Sequence, residues 1–280
     1  MGLRERFVRI VKYHELLVSM VRKELKIKYK NSVLGFAWSL LNPLLYLVVF
    51  YIAFQKILQA GIPNFAIWLL SGLLVWNLFS TGLGGATGSV VGNSALVKKV
   101  SFPREILPLA AVGSTVVHFF LQSLVLFAVI AVFRWHVAWA YVAMLPLALI
   151  ALLLLTGALG ILLSAMNVYL RDTQHFLELA LLAWFWVTPI VYQFMTVWGR
   201  GGVFAKLWAL NPVTPIVIMF QRALYAKTNT GGPNPTQLLP EWSYWKYVGY
   251  LGYSFAVGAI VLLIAVRVFG KAEGNFAEEL

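Results

Sequence analysis

Six long apolar stretches, almost free of charged residues, dominate this sequence of 280 residues. A helix needs about 20 apolar residues to cross the hydrocarbon core of a bilayer. The composition agrees, because 61% of the residues are hydrophobic and 11% are charged, whereas soluble domains carry about 25% charged residues. The sequence therefore predicts an all-α integral membrane protein and excludes a soluble enzyme of this size.

The apolar stretches predict six transmembrane helices per chain within a single membrane domain, residues 33–280. The spans lie at about 34–58, 65–92, 106–133, 139–166, 173–195 and 247–267. Between the fifth and sixth spans, the segment 200–226 is apolar but is interrupted by Asn211, Pro212 and Pro215. Interrupted apolar segments of this length are typical of re-entrant helices that enter the membrane and return.

Residues 1–32 predict an amphipathic helix in the plane of the lipid head groups, followed by an elbow. Leu3, Phe7 and Ile10 begin an apolar series at helical spacing, and seven Lys and Arg residues supply the polar side. A solvated helix packed on a soluble partner is the alternative interpretation.

The distribution of basic residues predicts the orientation. Fifteen of the 22 Lys and Arg residues lie at the two termini and in the loops after spans two and four. Because cytoplasmic loops are enriched in Lys and Arg, we expect both termini in the cytoplasm. The net charge of +12 favours contact with membrane lipids and not with nucleic acid, because no soluble basic face is present to bind it.

Several chemistries have no residues to support them. Cysteine is absent and the four histidines are scattered, so no metal site is predicted. The predicted spans hold no Asp, Glu, Lys or Arg at mid-depth, which disfavours an ion-coupled carrier. No G-x-x-x-x-G-K-[ST] motif occurs. Chemical energy for any work across the membrane must therefore come from another chain.

Two rows of side chains are candidates for the lining of a channel. In span one, Trp38, Asn42, Tyr46, Phe50 and Phe54 follow one another at i+4. In span five the row is Trp184, Thr188 and Tyr192. Aromatic faces can stack on sugar rings and let a chain slide; ordinary helix packing explains the same pattern, and both interpretations stay open.

The loop between spans two and three, 94–105, predicts a short amphipathic helix on the cytoplasmic side. Lys98, Lys99 and Arg104 form a basic face, while Val97, Val100 and Phe102 form an apolar one. Such a helix suits a groove on a soluble partner, and anchoring in the head groups is the alternative.

Five motifs together resemble the ABC transporter permeases that export cell-surface polysaccharides such as O-antigen, teichoic acid and galactan. They are K-I-K-Y-K-N-S-V-L-G-F-A-W-S-L-L-N-P-L-L at 26–45, V-S-F-P-R-E-I-L-P-L at 100–109, Arg171-Asp172, T-P-I-V-Y at 188–192 and N-P-V-T-P at 211–215. The resemblance extends over nearly the whole chain.

The resemblance implies a homodimer of twelve spans in the bacterial cytoplasmic membrane, with two copies of a separate ATPase subunit. ATP and Mg²⁺ would bind to that subunit, so this chain would need no cofactor and would not be an enzyme. The segment 3–30 would be a gate helix at the interface. The residues that couple this chain to the ATPase would be Ser94, Val97, Lys98, Lys99, Val100, Phe102, Pro103, Arg104, Glu105, Arg171 and Asp172.

The resemblance also implies a lipid-linked polysaccharide as substrate, in a channel lined by Trp38, Tyr46, Phe50, Phe54, Trp184, Thr188 and Tyr192. A charged lipid head group would meet the cations of the elbow, which are Arg22, Lys23, Lys26, Lys28 and Lys30. Two other functions stay open. One is a permease of the same fold for a drug or a lipid, and the other is a membrane glycosyltransferase that uses Asp172 and Glu178.

Overall fold

The structure is a computed structural model of the chain, and it is built from helices. They account for 79% of the residues, and no strand occurs in the part of the chain that the structure describes. The described residues are 3–30, 32, 35, 37–59, 61–199, 201, 203, 205, 208, 210–231 and 235–280. The predicted start of span one at 34, and parts of the predicted segment 200–226, lie outside these residues.

The helices follow one another in a simple order. They are α1 (Leu3–Lys12), α2 (His14–Tyr29), α3 (Ala37–Phe50, extended by a π-helical segment Tyr51–Ile57), α4 (Phe65–Gly92), α5 (Ser94–Lys99), α6 (Ile106–Val132), α7 (Trp139–Val142), α8 (Leu145–Tyr169), α9 (Thr173–Val187), α10 (Phe194–Trp198), α11 (Thr214–Phe220, extended by a π-helical segment Gln221–Tyr225), α12 (Tyr244–Ala272) and α13 (Phe276–Glu279).

Five helical segments of the described chain are long and apolar enough to cross a membrane. They are Leu40–Ile57, Phe65–Gly92, Ile106–Val132, Trp139–Tyr169 and Tyr244–Glu279. They confirm the prediction of a multi-pass membrane protein. By their length and composition, they also match five of the six predicted spans. The second predicted span, 65–92, coincides with α4.

The predicted span at 173–195 differs from the helix observed there. Helix α9 ends at Val187 after 15 residues, which is about 22 Å of helix, against about 30 Å for the hydrocarbon core. Pro189 explains the early end, because proline lacks an N–H group and disfavours the helical conformation of the residue before it. A continuous sixth span therefore stays a prediction.

Helix α4 forms the centre of the fold, while α3 lies at its edge. In the most apolar stretch of α4, 78% of the residues are buried, whereas the share in α3 is 6%. Small residues allow close packing around α4: a Cβ atom at Gly160 of α8 would lie 2.7 Å from Cβ of Ala86. The side chains of α3 are left to face lipid or another chain.

Helix α2 packs along α6 and reaches the middle of that helix. A Cβ atom at Gly113 would lie 2.8 Å from Cγ2 of Val21, and Tyr29 Oη lies 3.1 Å from His118 Nδ1. His118 is twelve residues after Ile106, about 18 Å along α6. The amphipathic helix thus ends beside the core of the helical bundle.

Candidate functional site

The aromatic row of α3 is a continuous series of ring contacts. The ring centroids of Tyr46 and Phe50 lie 6.2 Å apart and nearly parallel, and those of Phe50 and Phe54 lie 6.0 Å apart. Phe50 also stacks on Phe185 of α9 at 5.9 Å. Trp38 and Tyr46 keep 45% and 51% of their surface exposed, so these two rings are available to a ligand within the protomer.

The residues of the row predicted in span five make contacts within the protomer, and Trp184 also lines an apolar cavity of about 520 Å³ together with Asp172 and Phe176. Thr188 is fully buried; its hydroxyl donates to Trp184 O at 2.8 Å and accepts from Asn211 Nδ2 at 3.0 Å. Trp184 Nε1 donates to Asn211 Oδ1 at 2.9 Å, and its ring packs edge-on against Phe79. Because α9 ends at Val187, Thr188 does not continue an i+4 row on that helix, and its role in lining a channel stays a prediction.

Tyr192 also lies beyond the end of α9, in irregular backbone. Its hydroxyl donates to Trp186 O at 2.9 Å and accepts from Trp208 Nε1. The exposed aromatic face of α9 is carried instead by Phe176 and Trp186, with 70% and 50% of their surface exposed. The sequence analysis did not identify Phe176 and Trp186, because it extended the i+4 row from Trp184 towards Tyr192, beyond the end of the helix at Val187.

An aromatic cavity of about 420 Å³ lies between α3, α4 and α9. Its main rings are Tyr46, Phe50, Trp76, Phe185 and Trp186, and Asn77, Ser80 and Glu178 add polar groups.

A second, polar cavity of about 410 Å³ lies between α2, α3, α4 and α6. Its walls contain Lys28, Tyr29, Trp38, Asn42, Tyr46, Asn77, Ser80, Thr81, His118 and Gln122. The two cavities adjoin, because both are lined by Tyr46, Asn77 and Ser80. The structure thereby brings two predicted channel residues, Trp38 and Tyr46, together with Lys28 from the predicted head-group set.

The other predicted head-group cations lie outside the polar cavity. Arg22, Lys26 and Lys30 are exposed. Lys23 donates through Nζ to Asn93 Oδ1, at the end of α4. Lys28 is exposed as well, and it differs from the other four because its side chain lines the polar cavity. The five cations therefore form a basic surface with one member at the polar cavity.

The predicted coupling loop presents a basic surface over an apolar anchor. Lys98, Lys99 and Val100 are exposed, whereas Val97 and Phe102 are buried with 3% and 6% of their surface exposed. Of the apolar face that the sequence predicted, Val97 and Phe102 therefore pack inside the protomer, while Val100 stays exposed. Of the remaining predicted coupling residues, Pro103 and Glu105 are buried, Ser94 and Arg104 are half-buried, and Arg171 and Asp172 are exposed.

A buried ionic cluster joins this loop to both ends of the chain. Arg6 of α1 contacts Glu105 through Nη1 and Glu273 Oε1 through Nη2 at 2.8 Å. Arg104 donates to the backbone oxygen of Glu273. Burial acts against the charge of Arg6, but the two carboxylates outweigh it and raise the pKa of its guanidinium. Sequence reasoning did not identify Arg6 or Glu273 as partners of the loop.

Gly270 leaves room for the guanidinium of Arg6. A Cβ atom at Gly270 would lie 2.6 Å from Arg6 Nη2. The cluster is covered by Phe276, whose ring lies 5.3 Å from that of Phe269 and 5.7 Å from the Arg104 guanidinium. Phe276 of the C-terminal turn thus packs beside the cluster, against Phe269 and Arg104.

Helices that cross a membrane, cavities of polar and aromatic side chains between them and a basic loop define a multi-pass membrane transport protein. The chain belongs to the ABC-2 type transporter family, whose sequence model matches residues 15–225.

Similar proteins cover almost the whole chain. It is 32% identical, over 97% of both chains, to the O-antigen export system permease protein RfbA of Myxococcus xanthus. It is 28% identical, over 95% of both chains, to the protein of the same name from Klebsiella pneumoniae.

Proposed function

We propose that this chain is the transmembrane subunit of an ABC exporter that moves a lipid-linked, O-antigen-type polysaccharide across the bacterial cytoplasmic membrane. The observation that carries the proposal is the pair of adjoining cavities, one aromatic and one polar, in a chain similar over its full length to O-antigen export permeases. Aromatic rings give a glycan apolar faces to slide over, and polar groups at the side accept its hydroxyls.

ATP hydrolysis takes place in a separate subunit, which binds ATP and Mg²⁺. The sequence supports this division, because it contains no phosphate-binding loop. The loop 94–105 docks on the ATPase through Lys98, Lys99 and Val100, which are exposed above the buried Val97 and Phe102. Movement of the loop is transmitted to α1 by the pair of Arg6 and Glu105.

The working unit is a homodimer with two ATPase subunits, six spans per chain and both termini in the cytoplasm. Its support is the low burial of α3 and the exposed face of α9 at Phe176, Leu179 and Leu182, since a second copy would cover these faces. Residues 200–226 form the re-entrant outer segment, and α1–α2 act as a gate helix beside the polar cavity. The predicted boundary at residue 32 separates that gate helix from the permease domain.

The experiment is deletion of the gene in its native bacterium, followed by measurement of surface polysaccharide and of lipid-linked glycan inside the cell. We expect surface glycan to fall and the lipid-linked precursor to accumulate, and the wild-type gene to restore export. Unchanged surface glycan would refute the proposal and favour a drug or lipid substrate.

A membrane glycosyltransferase is distinguished by a second measurement. Asp172 is exposed, and Glu178 lies 3.8 Å from His175 at the surface of α9. We expect the purified chain, without its ATPase, to leave a lipid-linked sugar unchanged. Turnover of that sugar by the chain alone would establish an enzyme instead.

A further inference from the structure

Polar side chains from three long helices and the end of α2 meet in the polar cavity at mid-helix. Asn77 and Thr81 are one turn apart in α4, as are His118 and Gln122 in α6, and Asn42 and Tyr46 in α3. Asn77 lies twelve residues after the start of α4 and fifteen before its end. Polar groups at such depth in a membrane are costly, so they are usually retained for function.

The side-chain amides of Asn77 and Gln122 are hydrogen-bonded to each other and keep further hydrogen-bonding capacity. Asn77 Nδ2 donates to Gln122 Oε1 at 3.2 Å. A carboxamide has two N–H donors and a carbonyl acceptor. This hydrogen bond uses one N–H of the Asn77 side chain. In the hydrogen bonds of the described residues, the side-chain oxygen of Asn77 and the amino group of Gln122 have no other partner, so both can bind a ligand.

The chemistry of the walls fits a sugar ring better than a phosphate. A sugar hydroxyl both donates and accepts hydrogen bonds, so it can pair with the side-chain oxygen of Asn77 and with the amino group of Gln122. Trp38 and Tyr46 offer flat apolar faces for the C–H groups of the sugar ring. Phosphate sites use several Arg or Lys residues, whereas Lys28 is the one cationic side chain among the described residues of this wall. The volume of about 410 Å³ lies within the range of small-ligand sites.

We propose that the polar cavity is a carbohydrate-binding site that holds the sugar unit next to the lipid diphosphate, through Asn77, Gln122 and Asn42, with the ring stacked on Trp38 or Tyr46. Lys28 stands on the diphosphate side of this sugar. This proposal rests on the proposed export function. It goes further by assigning to this site the discrimination between a glycosylated lipid and the bare lipid carrier.

The test uses the complete permease–ATPase complex in lipid nanodiscs. Three ligands are titrated by calorimetry: farnesyl diphosphate, and the same compound bearing one glucose or one N-acetylglucosamine. We expect at least one glycosylated compound to bind about tenfold more tightly than the bare diphosphate, the effect of one or two net hydrogen bonds. In Asn77→Leu/Gln122→Leu the difference should fall to about twofold or less, with the affinity for farnesyl diphosphate retained as evidence of folding.

The control variant is Gln174→Leu, which removes an exposed amide of α9 outside both cavities, and it should keep the full difference. Equal affinity for bare and glycosylated compounds in the wild type would overturn the site, as would a difference that survives in the double variant. Binding of none of the three would also overturn it. The proposed function has its own test: it is refuted if deletion of the gene leaves surface glycan unchanged, whatever the binding experiment shows.

Discussion

Arg6 and Glu105 form a buried ion pair although 99 positions separate them in the chain. Their residues keep 8% and 3% of their surface exposed. The pair joins the N-terminal helix to the loop that we assign to ATPase docking, and Glu273 completes the cluster from the C-terminal end. Because separating buried charges is costly, we expect a displacement of the loop to act on α1.

Removal of Arg6 tests this connection. In Arg6→Leu, two carboxylates lose the guanidinium that both of them contact, and we expect a loss of about 3–5 kcal/mol in stability. Thermal unfolding in detergent measures the change. Lys12→Leu, which removes an exposed cation of the same helix, should leave the midpoint unchanged, and adding Glu105→Gln to Arg6→Leu should restore part of the loss. An Arg6→Leu protein as stable as the wild type would contradict the assignment.

Charge reversal in the loop tests ATPase docking. Lys98 and Lys99 are exposed, so Lys98→Glu/Lys99→Glu should leave the fold intact. Exposed ion pairs contribute about 0.2–1 kcal/mol each, so the loss of two such pairs should weaken binding of the ATPase by about twofold to thirtyfold. Copurification at graded salt measures it, with Lys271→Glu as the control at an exposed site outside the loop. Unchanged copurification of the double variant would refute the docking role.

Close packing of α4 and α8 predicts a sharp response at Gly160. A Cβ atom there would lie 2.7 Å from Cβ of Ala86, a group that cannot rotate away. Gly160→Ala should therefore destabilise the protein by about 1–3 kcal/mol. Gly252→Ala in α12, where no atom lies within 4 Å of the new Cβ, should not. Equal unfolding temperatures of the two variants would contradict the packing.

The two aromatic rows predict different effects. Trp184 is hydrogen-bonded to Asn211 and packed on Phe79, so Trp184→Ala should cost about 3–5 kcal/mol of stability. Tyr46 is half exposed and lines both cavities, so Tyr46→Ala should slow glycan export while thermal unfolding stays close to that of the wild type. Measuring both quantities for each variant separates packing from transport; a stable Trp184→Ala protein would contradict this division.

The positions of five spans could be predicted from the sequence because the length of an apolar run is a local property set by bilayer thickness. The end of α9 could also have been predicted, since Pro189 stands two residues after Val187. Continuing the row to Thr188 assumed a helix that this proline prevents.

Contacts between distant segments could not be predicted. Nothing near Arg6 in the sequence indicates Glu105 or Glu273, because the partners meet only when α1, the loop and the C-terminal turn pack together. The polar pairs in α4 and α6 were visible as i+4 spacings, but their common cavity depends on which helices become neighbours. In the same way, the partner of His118 is Tyr29, which comes from the amphipathic helix.

The central claim is that a lipid-linked glycan passes Tyr46, the ring shared by both cavities. The most direct measurement places a photo-crosslinking amino acid at position 46 during active export and detects glycan bound to the chain. A matched probe replaces Leu124, which is 61% exposed on α6 and lines neither cavity. We predict an ATP-dependent glycan crosslink at 46 and none at 124. No crosslink at 46, or equal crosslinks at both positions, would contradict the proposed path.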